Sequence, residues 1–403
     1  MIILVLNCGS SSLKYQVLDM KSNDNYTLKA KGLVERIGGP VGSVTHTVTG
    51  SDKYIVEKPV PDHAAGIKEV LDLLTSNEHG VLASLGELDA VGHRVAHGGE
   101  YFSESALITP QTEAKIEECS ELAPLHQPAN LLGIRAVRSL LPSIPQVAVF
   151  DTSFHQTMPQ WAYLYSIPYE YYEKYKVRRY GFHGTSHKFV AAKAAKFAGL
   201  DINNSRIITC HLGNGSSITA VKDGKSIDTS MGFTPVEGVT MGTRSGNIDA
   251  GAVLFLQEKE GLDAAAMSNV LNKKSGLLGI SGISSDCRDI QAAADQGSEI
   301  ALTTQKVLGY GIKKYIGAYA AALNGVDMIV FTGGIGENSS STRANACRGL
   351  EYLGVDFDEE ANLRIHGVDA YLSKPESKVK VAVITTDEEL VIAQDTMAIV
   401  NSK

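Results

Sequence analysis

Two arginines lie in segments predicted to be glycine-rich loops, where their own neighbours supply little packing. Arg94 stands in the sequence GHRVAHGG and Arg244 in the sequence MGTRSG. Because glycine offers no side chain to pack against, we expect another group to hold each guanidinium. The planar fork of a guanidinium matches a carboxylate or a phosphoryl group. The alternative is an arginine on a surface loop, which is the commoner case for any single arginine.

Two further stretches carry acidic side chains that could take part in chemistry. Asp151 directly follows the apolar segment VAVF, and carboxylates at the carboxyl ends of strands in α/β folds often face a ligand. Asp151 is therefore a candidate for holding magnesium or acting as a base; the alternative is a helix or turn cap. Glu388 and Glu389 open the last predicted helix, where acidic side chains also favour the helix dipole.

His183 and His187 are four residues apart, a spacing that could bind zinc on one face of a helix. The intervening Gly-Thr-Ser does not match the HExxH pattern of zinc enzymes, and the sequence offers no evident third ligand. We therefore expect a histidine here to donate a hydrogen bond to an anion instead.

Three glycine-rich turns follow predicted strands, at residues 7–12, 213–217 and 333–338. Turns of this kind leave backbone N–H groups free to meet a phosphate, with no Cβ in the way. None matches the Walker A loop or the dinucleotide fingerprint. Any one alone is more simply a tight turn. Three in one chain, two of them in similar hairpins, predict a nucleotide with its phosphates between the two hairpins and its base against the third turn.

The elements that position these residues form a repeated pattern. Hairpins at residues 1–15 and 206–225 are each followed by another strand, at 26–36 and 226–229. Periodicity predicts helices over residues 61–74, 109–119, 128–141, 185–200, 247–258, 263–272, 299–323, 340–353 and 388–400. Strands are predicted at 88–91, 145–150, 328–332 and 378–384, and a loop at 276–286. This pattern predicts an α/β fold of two similar halves facing a cleft, with a domain change near residue 150.

Composition narrows the class of protein. The 403 residues carry a formal net charge of −8, which argues against a general nucleic-acid binder. The five cysteines are odd in number and form no CxxC pair, so we expect reduced thiols and a cytoplasmic location. The first residues lack the basic region of a signal peptide, and no apolar run approaches the length of a membrane span, so we expect no membrane partner.

The motifs closely resemble the acetokinase family. VLNCGSSSLK at residues 5–14 and the hairpin at 210–225 are similar to the two family signatures. GHRVAHGG, APLHQP, FDTSFH, YGFHGTSH, MGTRSG, FTGGIGEN and TTDEEL also occur in the order of the family. The family belongs to the superfamily of acetate and sugar kinases, heat-shock chaperones and actin. The resemblance covers essentially the whole chain and implies two duplicated actin-like, ribonuclease H-like domains with a central cleft.

The resemblance also implies domain boundaries and a reaction. An N-terminal acetokinase domain is expected at residues 1–150, completed by the C-terminal helix at 386–403, and a nucleotide-binding domain at 151–385. The expected reaction is reversible phosphoryl transfer from ATP to acetate, giving acetyl phosphate and ADP by direct in-line attack of the carboxylate. The expected cofactor is Mg²⁺ or Mn²⁺, and the expected assembly is a homodimer.

Roles are implied for individual residues in the same way. The implied catalytic residues are Arg94, Asp151, His183 and Arg244. The implied acetate site consists of Arg94, Ala96, Leu125, His126, Phe182 and Pro235. The implied ATP site consists of Lys14, His211, Leu212, Gly213, Asn214, Gly215, Asp286, Cys287, Arg288, Gly334, Ile335, Gly336, Glu337 and Asn338. The implied metal ligands are Asn7 and Glu388.

Other functions make different demands on the sequence. The family often has valine at the position of Ala96, so a kinase for propionate or another short-chain fatty acid is the first alternative. A sugar kinase would have less use for two arginines, which suit an anionic acceptor. An ATP-gated binding protein would predict an added peptide-binding region, and a DNA-binding regulator would need a helix-turn-helix and a basic face.

Overall fold

The computed structural model describes residues 1–124 and 126–402. The chain divides into two compact units. Unit one comprises Met1–Gln156 together with the chain from Asp387 onward, and unit two comprises Thr157–Thr386. In the described ranges, no helix combines the length and the apolar character needed to cross a membrane.

The strands, in chain order, are β1 (Ile2–Cys8), β2 (Ser12–Ser22), β3 (Asn25–Glu35), β4 (Gly42–Val48), β5 (Tyr54–Lys58), β6 (Ala90–Val95), β7 (Ala106–Leu107), β8 (Gln146–Phe150), β9 (Arg206–Leu212), β10 (Ser216–Lys222), β11 (Lys225–Thr229), β12 (Met328–Thr332), β13 (Ala370–Tyr371) and β14 (Lys380–Val383). The helices are α1 (His63–Leu74), α2 (Pro110–Glu118), α3 (Gln127–Leu140), α4 (Gln160–Tyr163), α5 (Glu170–Tyr175), α6 (Gly184–Ala198), α7 (Ala250–Glu260), α8 (Ala264–Lys273), α9 (Gly276–Ser281), α10 (Cys287–Asp295), α11 (Glu299–Ala322), α12 (Gly333–Asn338), α13 (Ser340–Cys347), α14 (Glu359–Arg364) and α15 (Glu388–Asn401).

The sheet of unit one has the strand order β5-β4-β3-β2-β1-β6-β8-β7. Strands β1 to β5 form an antiparallel meander, whereas β6 runs parallel to β1 and β8 runs parallel to β6. Every residue of β8 is buried, as the apolar run VAVF predicts. The sequence pattern predicted only the first three strands of the meander. The remaining two, β4 and β5, have one partly exposed face and were missed.

The sheet of unit two repeats this arrangement. Its strand order is β11-β10-β9-β12-β14-β13, with β12 parallel to both β9 and β14. It corresponds strand by strand to the order β3-β2-β1-β6-β8-β7 in unit one. The prediction of an α/β fold made of two similar halves is therefore confirmed.

Three local predictions were wrong. Residues 333–338, predicted as a glycine-rich turn, form the short helix α12. Residues 276–286, predicted as a loop, begin with the short helix α9. The helix predicted over residues 340–353 ends at Cys347 and is followed by a separate 3₁₀ turn at Glu351–Leu353. The break falls at Gly349, whose φ of +83° lies in the left-handed region that glycine adopts without strain.

Candidate active site

The predicted acidic and basic residues of unit one meet at the carboxyl-terminal edge of its parallel strands. Arg94 lies within β6, not in a loop as expected, and Asp151 directly follows β8. Arg94 donates two hydrogen bonds to Asp151, from Nε to Oδ1 at 2.9 Å and from Nη2 to Oδ2 at 2.7 Å. The Asp151 side chain is only 4% exposed and that of Arg94 is 29% exposed. The pair is therefore a fixed, partly buried guanidinium with N–H groups beyond the two that Asp151 uses.

The surroundings of Arg94 keep its guanidinium positively charged. The carboxylate of Asp151 raises the pKa of Arg94, and the neighbouring Glu388 and Glu389 raise it further, against the opposing effect of burial. Arg94 therefore remains a cation at the edge of the sheet and can attract an anionic ligand.

Glu388 opens α15 and lies among these charges. Its Oε1 atom is buried and has no hydrogen-bond partner within the described part of the chain. Burial raises the pKa of the Glu388 carboxyl, Arg94 lowers it, and Asp151 raises it again. A buried carboxylate oxygen without a donor costs free energy, and a cation would remove that cost. Glu388 is therefore suited to hold a metal ion.

The first hairpin supplies the other predicted phosphate and metal contacts of unit one. Asn7, at the end of β1, pairs in register with Lys14 on β2. The ammonium group of Lys14 forms an ion pair with Glu389 on α15. The helix that carries Glu388 is thus tied to the hairpin that carries Asn7.

The backbone after β6 is held by two buried amide side chains that the sequence analysis did not select. The N–H of Ala96 donates to Asn130 Oδ1 at 2.9 Å. Gln127 accepts a hydrogen bond from the N–H of His97 at 3.2 Å and donates one to its carbonyl oxygen at 2.8 Å. Gln127 belongs to the APLHQP motif, so that motif could have indicated its role. His126 precedes α3, and the predicted Leu125 lies outside the described residues.

A cavity of about 1280 Å³ lies within unit two. Eight of the predicted ATP-site residues line it: Gly213, Asn214, Asp286, Cys287, Arg288, Gly334, Ile335 and Asn338. Polar side chains that the sequence analysis missed also line it, namely Ser285, Gln291, Gln305, Lys306, Arg348 and His366. These side chains lie on or beside α10, α11, α13 and α14. In the sequence they look like the ordinary polar face of a surface helix, so they were not predicted. A glycine-bordered cavity of this size accommodates a nucleotide.

Asp286 shapes one wall of the cavity. It caps α10 by accepting a hydrogen bond from the N–H of Arg288 at 2.8 Å, and its carboxylate also pairs with the Arg288 side chain at 2.6 Å. These hydrogen bonds lower the pKa of Asp286 to about 2. The Arg288 side chain is 90% exposed, so a bound ligand can contact it without displacing protein groups.

Glu337 belongs to α12, the short helix formed where the third glycine-rich turn was predicted, but does not line the cavity. Its Oε1 atom accepts hydrogen bonds from the N–H groups of Gly333 at 3.0 Å and Thr386 at 3.2 Å. This carboxylate holds the turn in place. Gly333 has a φ of +75°, and a Cβ there would lie 2.8 Å from the carbonyl oxygen of Leu212, so the turn packs directly against the end of β9. His211, Leu212, Gly215 and Gly336 also do not line the cavity, and Lys14 belongs to unit one.

His183 and Arg244 come together beside the second glycine-rich turn. A Cβ on Gly215 would lie 3.2 Å from Arg244 Nη1 and 3.6 Å from His183 Nε2. Arg244 donates from Nη1 to the carbonyl oxygen of Pro235 at 3.3 Å. The ring of His183 stacks on that of His211, with centroids 4.3 Å apart. A cation and an imidazole therefore border the same turn.

His183 precedes α6 with a φ of +55°, which is unusual for a residue other than glycine and is often found at functional sites. The ring nitrogens of His187 contact Thr209 and Ser217. Among residues 1–124 and 126–402, no group of three or more His, Cys, Asp or Glu side chains could hold a metal ion. Phe182, the remaining predicted pocket residue, is buried against Met231 and Met241.

The strand order of unit two recurs within the larger sheet of unit one, and each unit carries groups that can bind an anion at the carboxyl ends of its parallel strands. These are features of a two-domain α/β phosphotransferase. The chain belongs to the acetokinase family, whose model matches residues 2–394.

Similar proteins span nearly the full chain. An acetate kinase of Phocaeicola vulgatus is 57% identical over 399 residues, covering 99% of both chains. The crystal structure of Porphyromonas gingivalis acetate kinase superposes with a TM-score of 0.95 at 52% identity, covering 99% of both chains. The crystal structure of a propionate kinase from Francisella tularensis superposes with a TM-score of 0.91 at 41% identity, covering 98% of this chain and 99% of the other.

Proposed function

We propose that this enzyme transfers the γ-phosphoryl group of ATP to acetate, giving acetyl phosphate and ADP, and that it also catalyses the reverse reaction. The Arg94–Asp151 pair carries this proposal. Asp151 fixes the guanidinium by two hydrogen bonds, and the further N–H groups can bind the carboxylate of a small acid. Unit one would then be the N-terminal acetokinase domain and unit two the nucleotide-binding domain.

The chemistry agrees with these side chains. Acetate is already ionised at neutral pH, so the reaction needs no general base, but the repulsion between acetate and the phosphates must be overcome. Arg94 would hold the acetate carboxylate. His183 and Arg244 would stabilise the transferring phosphoryl group, and the cavity of unit two would hold the nucleotide. Phosphoryl transfer depends mainly on positioning and charge neutralisation, and these are the roles proposed for the three side chains and the cavity.

Hydroxylamine trapping tests the proposal directly. The purified protein, given ATP and a divalent metal, should form hydroxamate from acetate, and acetyl phosphate with ADP should yield ATP. A protein that hydrolyses ATP but forms no acyl hydroxamate from acetate, propionate or butyrate would contradict the proposed reaction. We further propose a cytoplasmic homodimer. The five free cysteines are compatible with a reducing compartment, and sedimentation would test the dimer.

We propose Mg²⁺ or Mn²⁺ as the cofactor, held by Glu388 and Asn7. The buried, unpartnered Oε1 atom of Glu388 fits a cation, and Mg²⁺ usually binds through one or two carboxylates together with substrate phosphates. When bound, the metal would neutralise charge on the nucleotide phosphates. Asn7 would add a neutral oxygen ligand from the first hairpin.

Replacing Glu388 by glutamine should raise the stability of the metal-free protein at neutral pH and abolish the stabilisation by Mg²⁺ with ADP. Because burial raises the pKa of Glu388, the folded protein holds this proton more tightly than the unfolded chain does. Its contribution to stability is therefore present below the unfolded pKa and is lost as the pH rises through the folded pKa. The difference in stability between metal-free Glu388→Gln and the metal-free wild type should therefore increase as the pH rises.

Melting temperatures measured between about pH 4 and pH 8, with and without Mg²⁺ and ADP, test this prediction. Glu104→Gln is the control, because it makes the same substitution at an exposed position of unit one. An unchanged response to Mg²⁺ in Glu388→Gln would contradict the metal assignment.

Propionate is the second candidate substrate, and Ala96 favours it. The small side chain of Ala96 leaves space where a valine would add two methyl groups. Replacing Ala96 by valine should lower the ratio of kcat/KM for propionate to that for acetate by about 10- to 200-fold, the range for one methylene in a pocket. Hydroxamate formation from both acids measures the ratio. Ala83→Val, at an exposed position of unit one, is the control. An unchanged ratio would show that Ala96 does not border the acyl group.

A further inference from the structure

A buried chain of hydrogen bonds leads to His183 from the interior of unit two. His183 Nδ1 lies 2.9 Å from Ser217 Oγ, and His187 Nε2 lies 2.7 Å from the same oxygen. His187 Nδ1 lies 2.7 Å from Thr209 Oγ1. Thr209, His187 and Ser217 each have 0% relative exposure. Of these four residues, only His183 has a role in the proposed reaction.

The hydroxyl of Ser217 orders the protons along the chain. It has one proton to donate and is fully buried between two imidazole nitrogens, which are its acceptors among the described residues. If both rings donated to it, its own proton would be buried without an acceptor, so with neutral rings one nitrogen donates to it and the other accepts from it. Two arrangements remain, and they place the proton of His183 on opposite nitrogens.

In the first arrangement the protons point toward the glycine-rich turn. Thr209 donates to His187 Nδ1, and His187 Nε2 donates to Ser217. Ser217 donates to His183 Nδ1, so His183 carries its own proton on Nε2. In the second arrangement every donor is reversed, and His183 Nε2 presents a lone pair.

The position of His183 Nε2 distinguishes the two arrangements. This nitrogen lies beside Gly215, where Arg244 Nη1 also lies. A phosphoryl oxygen stabilised by Arg244 would be attracted by an N–H at this position and repelled by a lone pair.

We propose that Thr209, His187 and Ser217 are positioning residues that hold His183 as the Nε2–H tautomer, so that it donates a hydrogen bond to the transferring phosphoryl group. The hydrogen bond from His183 to the phosphoryl group rests on the proposed function. The tautomer of His183 is a property of the protein without substrate. No proton is transferred, and the chain acts by selecting one tautomer.

Two substitutions and a matched control test the chain by kinetics. Ser217→Ala should lower kcat by about 10- to 100-fold, the range for groups that orient a functional histidine through its second nitrogen. The KM for ATP should change little, because the cavity residues are untouched. Thr209→Val should lower kcat by a smaller factor.

Thr219→Val is the control and should leave kcat unchanged. Thr219 is the register partner of Thr209, is equally buried and undergoes the same isosteric change. Its hydroxyl contacts Thr229 at 2.8 Å instead of a histidine. If Thr219→Val lowers kcat as much as Ser217→Ala, the effect comes from loss of a buried hydroxyl, and the proposal is overturned.

Nitrogen-15 NMR of histidine-labelled protein tests the tautomer without substrate. The His183 signals are assigned by their absence from the spectrum of His183→Asn. We expect an Nε2–H tautomer in the wild type and a mixture of tautomers in Ser217→Ala. An Nδ1–H tautomer or a doubly protonated ring in the wild type would overturn the proposal. If the wild type shows the Nε2–H tautomer but forms no acyl phosphate, the tautomer assignment stands and the proposed function fails.

Discussion

Replacing Arg244 by alanine is expected to lower kcat for acetyl phosphate formation by about 10³- to 10⁵-fold, the range for a guanidinium that stabilises a transferring phosphoryl group. Arg244 lies next to Gly215 and His183 and donates to the carbonyl oxygen of Pro235. The cavity that would hold the nucleotide is lined by other residues, so the KM for ATP should change far less than kcat. Such a split indicates an interaction made mainly in the transition state.

Arg244→Lys distinguishes the contribution of the positive charge from that of the planar guanidinium geometry. Lysine keeps the positive charge but loses the planar pair of donors, so we expect activity between those of the wild type and the alanine variant. Steady-state kinetics in the hydroxamate assay, together with melting temperatures, distinguish a catalytic loss from unfolding. A correctly folded Arg244→Ala enzyme with nearly full kcat would rule out the role proposed for Arg244.

Replacing Arg94 by methionine is expected to lower kcat/KM for acetate by about 10²- to 10³-fold, the loss typical of removing one donor to a reacting anion. It should also lower the free energy of unfolding by about 3–5 kcal/mol, because Asp151 would remain as a buried charge without its partner. Asp151→Asn should destabilise the fold less, since the Arg94 side chain keeps 29% of its surface in contact with solvent. Urea unfolding of both variants measures this asymmetry.

A second arginine–aspartate pair provides the control. In unit two, Arg206 donates from Nε and Nη2 to Asp327, as Arg94 does to Asp151, but the side chain of Asp327 is 29% exposed, whereas that of Asp151 is 4% exposed. Arg206→Met should cost only about 0–1 kcal/mol and leave activity unchanged. The double variant Arg94→Met with Asp151→Leu should recover stability but not activity. Equal stability losses in Arg94→Met and Arg206→Met would contradict the importance of burial.

The sequence predicted the fold wherever one pattern determined an element. Asp62 was expected to start a helix, and its side chain caps α1 by accepting from the N–H of Ala65 at 2.8 Å. The repeated hairpins predicted the repeated strand order. Strand β4 was missed because Ser43, Thr45 and Thr47 leave only alternate buried positions, and such a short alternation resembles a polar loop.

The site was predicted less completely, because sequence patterns locate residues but do not assign the partners of their side chains. Glu337 was expected to contact ATP, yet its carboxylate is used by backbone N–H groups. Asn130 was not selected, although it joins the N–H of Ala96 to the carbonyl oxygen of Cys8 from a buried face of α3. Its partners are distant in sequence, so no local spacing indicates this role.

The position of α15 has a consequence for how the protein is made. This helix packs on β1, β2, β6 and β8 and buries Leu390, Ile392 and Met397 in unit one. The strands it covers are synthesised before unit two, whereas the helix is synthesised after it. Unit two is one continuous stretch and can complete its core while unit one still lacks a part. Unit one would therefore complete its fold after unit two, although most of its residues are synthesised earlier, and its apolar sheet would remain uncovered until α15 is made.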